Sequence, residues 1–128
     1  MPLLNITLQK GKDSAYIKKM SQTIHDTLIK TWNIPSHDYF QLVNQIEPEC
    51  CFIDKTMWDM ERTNDIIVIH ITSTPRTSEM KQAFFKELPI ALESAIGLKH
   101  DNVFISIVNN QLEDWTFGKG RQQLVDKS

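Results

Sequence analysis

Cysteine is scarce in this chain. The only two, Cys50 and Cys51, are adjacent. Neighbouring residues form a disulfide only with severe backbone distortion, because bridged Cα atoms normally lie about 4.4–6.8 Å apart in favourable torsions. We therefore expect two reduced thiols, as is typical of a reducing compartment. A regulatory vicinal pair is the alternative.

Long hydrophobic runs and concentrated positive charge are also missing. The longest apolar run is IIVI, far short of the roughly 18 residues of a membrane span. The net charge is −2 and Lys and Arg are scattered singly, which argues against nucleic acid as a partner. No charged segment followed by an apolar one opens the chain, as a secretory signal would. We expect a cytoplasmic protein with neither nucleic-acid nor membrane partners.

Metal and cofactor signals are equally weak. The four histidines do not fall at close metal-ligand spacings, and no cysteine–histidine pairing resembles a zinc site. The GKG segment near the C-terminus is too short for a phosphate-binding loop. We expect neither a metal nor a cofactor.

What the chain does contain fits one domain over residues 1–128, by length and by its 41% hydrophobic and 23% charged residues. The first part predicts a strand over 3–8, a helix with Asp13 or Ser14 as N-cap, and a second strand over about 38–46. Asn33 and Pro35 end the helix. Its apolar face repeats at spacings of three and four residues: Ile17, Met20, Ile24 and Leu28.

The same order of elements starts again after a less regular stretch over 47–64, which could hold a short irregular strand. A strand is predicted over about 65–71, a helix with Thr77 or Ser78 as N-cap, and a strand over about 102–109. Gly97 ends the helix, and Pro89 predicts a bend near 85–89 within one continuous helix. The apolar stripe of this helix has a spacing of four: Met80, Phe84, Leu88 and Leu92.

Corresponding positions in the two parts are separated by one constant offset in sequence number. The chain therefore predicts an α/β (α+β) fold of two β-α-β units, about 2–46 and 65–109, with a C-terminal tail over 110–128. Right-handed crossovers make the two strands of each unit parallel and place both helices on one face of one sheet. The open face of that sheet predicts oligomerisation. The equivalent pairs are Leu3 and Ile67, Met20 and Phe84, and Phe40 and Phe104.

Pro2 has two interpretations. Proline gives no N–H to a sheet ladder and is tolerated at the first position of a strand, so Pro2 could simply open the first strand. A small residue after the initiator methionine also permits removal of Met1. Pro2 would then carry a secondary amine, a group with an ordinary pKa near 7.7–8.0 that apolar walls and a nearby cation lower.

Two β-α-β units that begin at such a proline resemble the tautomerase superfamily. The segments HDYFQ, STPRTSEMK and DWTFGKGR are similar to signatures of its malonate semialdehyde decarboxylase-like branch, in the same order and at similar spacing. The resemblance covers nearly the whole chain. It implies a mixed sheet with two helices on one face, and a homotrimer.

The resemblance also implies roles for individual residues. The catalytic proline of the family corresponds to Pro2, its catalytic aspartate to Asp38 at the start of the second strand, and one of two arginines that flank a proline to Arg76. The position of the other arginine is Thr74, which departs from the branch. The aromatic wall of the family corresponds to Trp115 and Phe117, with Leu124 in place of a phenylalanine.

Each residue also has an ordinary structural interpretation. Arg76 could be a solvated arginine in a capping loop, and Asp38 could be a turn residue. Trp115 and Phe117 could pack in the core or at a subunit interface. In the functional interpretation Arg76 binds a carboxylate, Asp38 positions a water or holds an ionic partner near Pro2, and the aromatic residues line a dry pocket.

The resemblance predicts an isomerase that tautomerises a small keto or enol acid with Pro2 as acid or base. A lyase, decarboxylating or hydrating a 3-oxo acid such as malonate semialdehyde, is the second hypothesis. A non-enzymatic trimeric interaction module is the third.

Overall fold

Two β-α-β units follow one another in the computed structural model, which describes residues 1–126; the last two residues of the predicted tail, 127 and 128, lie outside the described part. The helices are α1 (Ser14–Trp32) and α2 (Ser78–Ile96). The strands are β1 (Pro2–Gln9), β2 (Gln41–Ile46), β3 (Ile67–Ser73) and β4 (Val103–Asn109).

Both helices start at a side-chain cap. The Asp13 carboxylate accepts from the backbone N–H of Tyr16 at 2.8 Å, and the Thr77 hydroxyl accepts from that of Met80 at 3.1 Å. Such caps satisfy donors that have no partner within the helix. Of the alternatives that the sequence left open, Asp13 and Thr77 are therefore the N-caps.

Both helices end in a residue in the left-handed region. Asn33 has φ 54° and Gly97 has φ 68°, and their N–H groups donate to the carbonyls of Ile29 and Glu93, at 3.0 and 2.9 Å. The separation in sequence number between the N-caps Asp13 and Thr77 equals that between the C-caps Asn33 and Gly97. The offset predicted from the sequence is therefore kept at the helix ends.

The four strands form one mixed sheet in the order β2-β1-β3-β4. β1 pairs in parallel with β2, and β3 in parallel with β4. The central pair is antiparallel, with Pro2 opposite Ser73 and Leu8 opposite Ile67. The predicted fold class is confirmed: each unit is parallel, and the units join antiparallel at the centre.

One face of the sheet carries the helices and the core. Alternate residues of β1 and β3 are buried there, as the two-residue period of a strand requires, and α1 packs against α2 above them. The fully buried side chains of this core include Leu4, Ile6, Ile67, Ile69, Ile71, Met20, Ile24, Leu28, Trp32, Phe84, Leu88 and Leu92.

Neither of the two described helices, α1 and α2, covers the opposite face of the sheet. Register places Leu42 beside Asn5 and Phe104 beside Val68 on this face. Leu42 is 58% exposed and Phe104 is 42% exposed. The burial of this face in an oligomer remains a prediction.

Some predicted boundaries were wrong. β2 begins at Gln41 rather than 38, because a turn in which Asp38 N–H donates to the Pro35 carbonyl at 3.0 Å precedes it. β3 spans 67–73 rather than 65–71.

The connection over 47–64 contains two 3₁₀ turns, Pro48–Cys50 and Met57–Asp59, rather than a strand. Here the Asp54 carboxylate accepts from the backbone N–H groups of Thr56 and Met57, and such local bonds compete with sheet pairing.

Helix α2 continues through Pro89 as one helix, as predicted; the bend itself remains a prediction. Within residues 1–126, neither helix combines the length and apolar character needed to cross a membrane.

Candidate active site

Pro2 lies where β1 starts and β3 ends. It is buried and sits opposite Ser73, the last residue of β3. The backbone N–H of Thr74 donates to the Met1 carbonyl at 3.3 Å, so the two segments stay together one residue beyond the strand pair. The sheet register therefore holds the start of β1 beside the residues that follow β3.

The amino group of the chain, on Met1, has two polar neighbours. Its nitrogen lies 3.7 Å from Asp38 Oδ2 and donates to Thr74 Oγ1 at 3.4 Å. Asp38 and Thr74 are both buried, at 8% and 7% exposure. Two residues predicted from separate parts of the chain thus meet at one amine.

Neighbouring groups shift the pKa of this amine in opposite directions. Burial is the main cause that lowers the pKa of the Met1 amino group below its usual value, and the positive charge of Arg76 lowers it further. The carboxylate of Asp38 acts in the opposite direction, through its charge and a hydrogen bond. The net pKa is lowered, which increases the neutral fraction of the amine at a given pH.

Arg76 is held by two neighbours. Its Nε donates to Ser73 Oγ at 3.2 Å, and Ser73 Oγ donates to the Thr74 carbonyl at 2.8 Å. Its guanidinium carbon lies 5.2 Å from the ring centroid of the buried Trp32, within range of a cation–π contact. Burial lowers the pKa of Arg76, although Asp38 opposes this. Arg76 is a partly desolvated cation with a fixed orientation.

The loop that carries Asp38 is attached to α1. The buried His25 places Nε2 2.7 Å from the Ser36 carbonyl, and its ring stacks on Tyr39 with a centroid distance of 3.9 Å. The hydroxyls of Tyr39 and Ser21 lie 2.7 Å apart. These contacts fix the residues on either side of Asp38, whose Oδ1 is buried and has no hydrogen-bond partner among the described residues.

An apolar cavity of about 300 Å³ adjoins the amine. Met1 lines it and also bears the amine, so the polar cluster and the cavity meet at the amino end of the chain. Trp115 and Phe117, with ring centroids 5.6 Å apart, form part of the wall. The remaining lining residues are Leu3, Phe40 and Thr116.

Trp115 is anchored by a 2.6 Å hydrogen bond from its indole N–H to Asn110 Oδ1. Leu124 is half-buried in a turn beyond the wall and is not among the residues that line this cavity. The structure brings Trp115 and Phe117 to the start of β1, whereas the predicted role of Leu124 gains no support from its position.

Sequence reasoning missed four supporting residues: His25, Ser73, Trp32 and Asn110. Each acts by holding a neighbouring group in place; Ser73 is the first residue of the segment STPRTSEMK, whereas no motif marks the other three. Only the apolar period of α1 gave a signal: Trp32 continues the apolar stripe four residues after Leu28, and His25 is the residue after Ile24 on the buried side of the helix. Within residues 1–126, no three His, Cys, Asp or Glu side chains gather in a metal-binding arrangement.

Known proteins share this architecture. A family model described as "Tautomerase enzyme" matches residues 38–118. "Probable tautomerase YusQ" of Bacillus subtilis (strain 168) is 38% identical over 127 residues, which are 98% of this chain and 100% of that protein.

Two solved structures have a similar fold. That of a malonate semialdehyde decarboxylase, described with decarboxylase and hydratase activities, superposes with a TM-score of 0.92 at 31% identity, covering 96% of this chain and 95% of that one. A fused 4-OT, described as a symmetric trimer, shares the fold with a TM-score of 0.75 at 15% identity, covering 93% and 94%.

Proposed function

Since the chain belongs to the tautomerase superfamily, in its malonate semialdehyde decarboxylase-like branch, we propose that it tautomerises a small keto or enol acid with the amine of Pro2 as acid and base. The observation that carries this proposal is the amino terminus itself. It lies beside Asp38, Thr74 and Arg76, in surroundings that lower the pKa of an amine.

Removal of Met1 transfers the amine to Pro2, one residue deeper in the structure. Neutral Pro2 takes the enol O–H proton as the carbonyl forms, and the resulting secondary ammonium gives a proton to the adjacent carbon. The proton taken from oxygen thus balances the proton given to carbon. A pKa near the working pH suits a group that does both.

The other residues bind and orient. Arg76 presents a guanidinium, whose planar donors suit a substrate carboxylate. Asp38 raises the pKa of the Met1 amine and acts in the same way on Pro2, since a nearby opposite charge favours the charged form of an amine. Thr74 gives a hydrogen bond to the substrate, and Trp115 and Phe117 keep water away from the reacting atoms.

Decarboxylation or hydration of a 3-oxo acid is the second candidate. The buried Oδ1 of Asp38 has no partner within residues 1–126 and favours this candidate, because the atom could accept a hydrogen bond from a water near the amine. Thr74 argues against efficient decarboxylation, since a threonine supplies no positive charge to the developing enolate. A non-enzymatic interaction module is the third candidate and needs no free amine.

We further propose a homotrimer with the open sheet face turned inward. The apolar residues Leu42, Phe104 and Val108 on that face are 42–58% exposed in the single chain. These residues lie on the two edge strands, β2 and β4, of a face that no described helix covers, and such exposed apolar side chains favour burial against another subunit. The fused 4-OT described as a symmetric trimer has the same fold.

The enzyme proposal requires that Met1 be removed. The intact mass of the protein isolated from its native host tests this requirement. The enzyme proposal expects a mass lower by one methionine residue, because only then is the Pro2 nitrogen an amine. Full retention of Met1 would contradict both enzyme candidates and favour the interaction module.

A further inference from the structure

A second cavity lies at the opposite end of the sheet. Its volume is about 170 Å³, and it lies between the connection over 47–64, the end of β1 at Gln9, and Ile66, which directly precedes β3. It shares no lining residue with the cavity beside Met1. The two sites are therefore separate.

Internal duplication relates this cavity to the candidate active site. Ile66 corresponds to Pro2 by the same offset that relates the helix caps, and the antiparallel pairing of β1 with β3 puts the start of β3 at the opposite end of the sheet from the start of β1. The nitrogen of Ile66 is a peptide nitrogen, because the chain continues through it. This site can bind a ligand but has no chain-terminal amine like that of the first site.

The lining combines positive charge with apolar surface. Arg62 and Lys55 line the cavity, and none of the described carboxylates does. The Nε of Arg62 is buried and has no hydrogen-bond partner among the described residues. A buried donor without a partner carries a desolvation penalty, which a bound anion would remove. Pro48, Ile53 and Ile66 supply the apolar part.

Neighbouring carboxylates are engaged elsewhere. Asp65 pairs with Lys12 at 2.7 Å and Glu61 with Lys99 at 2.8 Å. The Asp54 carboxylate accepts from backbone N–H groups, which are the main cause of its lowered pKa, and the charge of Arg62 contributes less to that shift. Within residues 1–126, no carboxylate lies within 4.0 Å of the Arg62 guanidinium.

We propose that this cavity is a second binding site, for a small aliphatic monocarboxylate held by Arg62 and Lys55. A water molecule occupies roughly 30 Å³ in the liquid, so the space suits an acid of about three or four carbons. The carboxylate would accept from the two cations, and the hydrocarbon part would contact Pro48, Ile53 and Ile66. This mixed lining favours a carboxylate with an apolar tail over inorganic phosphate.

Cys51 provides a local readout, because it lines the cavity and is half-buried, whereas the adjacent Cys50 is exposed. The Cys50→Ser variant isolates the Cys51 thiol, and the Cys51→Ser variant isolates the control thiol. Alkylation by neutral iodoacetamide is followed by mass spectrometry. Saturating propionate should slow Cys51 alkylation about fivefold and leave Cys50 unchanged, since a ligand in the cavity restricts access to one thiol only.

The same assay tests whether binding requires charge on the ligand and on Arg62, and whether the ligand binds at this cavity. Propionamide, the neutral counterpart of propionate, should not protect Cys51. Adding Arg62→Gln to the Cys50→Ser chain should raise the propionate concentration needed by about tenfold or more, as loss of a charge-assisted hydrogen bond implies. Lys86→Gln, a charge loss at an exposed position of α2, and Arg76→Gln at the other site should leave protection unchanged.

Three results would overturn the proposal: no protection by propionate, equal protection in Arg62→Gln, or loss of protection in Arg76→Gln. Equal protection by phosphate would overturn the assignment to carboxylates. Circular dichroism checks the folding of Arg62→Gln. Should that variant unfold, Lys55→Gln tests the same charge requirement, and the propionate and propionamide comparison in the Cys50→Ser chain still decides whether the site exists.

Discussion

At the scale of single residues, the surroundings of the amine shift its pKa in opposite directions. Burial and Arg76 lower its pKa, whereas Asp38 raises it. Neither charge is an incidental surface group, because Asp38 is buried and Arg76 is fixed between Ser73 and Trp32. The protonation state of Pro2 should therefore respond to each charge with an opposite sign.

We predict this response in the pH dependence of tautomerisation. In the chain that lacks Met1, kcat/KM should rise with pH as Pro2 loses its proton, with a midpoint below the ordinary 7.7–8.0 of an α-amino group. Arg76→Gln should move the midpoint up, because it removes a repelling cation. Asp38→Asn should move it down, because it removes the anion that favours the charged amine.

The exposed Lys86→Gln serves as a control and should leave the midpoint in place. Profiles for all four proteins, with the enol form of a small 2-oxo acid as substrate, provide the comparison. Shifts of equal sign in Arg76→Gln and Asp38→Asn would contradict the proposed electrostatics.

Thr74 supports a second prediction at this scale. Its hydroxyl accepts from the amine of Met1 at 3.4 Å, so an arginine at this position would put positive charge beside the reacting group. Thr74→Arg should raise decarboxylation of malonate semialdehyde, since charge placed in advance stabilises the developing enolate. It should also lower the pKa of Pro2.

Decarboxylation and tautomerisation are measured in parallel on wild type, Thr74→Arg and, as a neutral control, Thr74→Gln. We expect weak decarboxylation in wild type and Thr74→Gln. Efficient decarboxylation by wild type that Thr74→Arg leaves unimproved would show that a second cation at this position is not needed.

At the scale of elements, the helices were predictable and the strand limits were less so. Apolar periodicity and caps are local, and they located both helices closely at each end. The start of β2 depends on a turn over 35–38 whose hydrogen bond no propensity reveals. The attachment of this loop through His25 and Tyr39 depends on tertiary contact between α1 and the loop. The family and the fold were thus readable from the sequence, while the proposed roles of the site residues rest on resemblance and geometry.

The caps allow a prediction on stability. Asp13→Ala and Thr77→Ala should each lower the free energy of unfolding by about 1 kcal/mol, because each leaves a helix N–H without its partner. Ser14→Ala and Ser78→Ala are matched controls one residue further and should have smaller effects. Urea denaturation followed by circular dichroism gives the four differences. Larger losses at Ser14 and Ser78 would reverse the assignment of the caps.

At the scale of the whole molecule, the open sheet face sets the expected assembly. Sedimentation equilibrium at micromolar concentration should give about 45 kDa, three times the 14.9 kDa of the chain. Phe104→Glu should reduce this mass, because it introduces charge into the buried face of the proposed trimer. Ile90→Glu, at a 52% exposed position of α2, is the control and should not. A wild-type mass equal to that of a single chain would refute the assembly.

The central claim is that the amine of Pro2 performs the acid–base chemistry. The most direct test is kcat/KM for ketonisation of the enol of a small 2-oxo acid, by wild type and by Pro2→Ala, after intact mass has established that both chains lack Met1. Alanine keeps an amine at the same place but changes its basicity and geometry. We expect a loss of about 100-fold or more in Pro2→Ala, the scale of general acid–base catalysis, with an unchanged circular dichroism spectrum; a folded variant with the activity of wild type would contradict a catalytic role of the Pro2 amine.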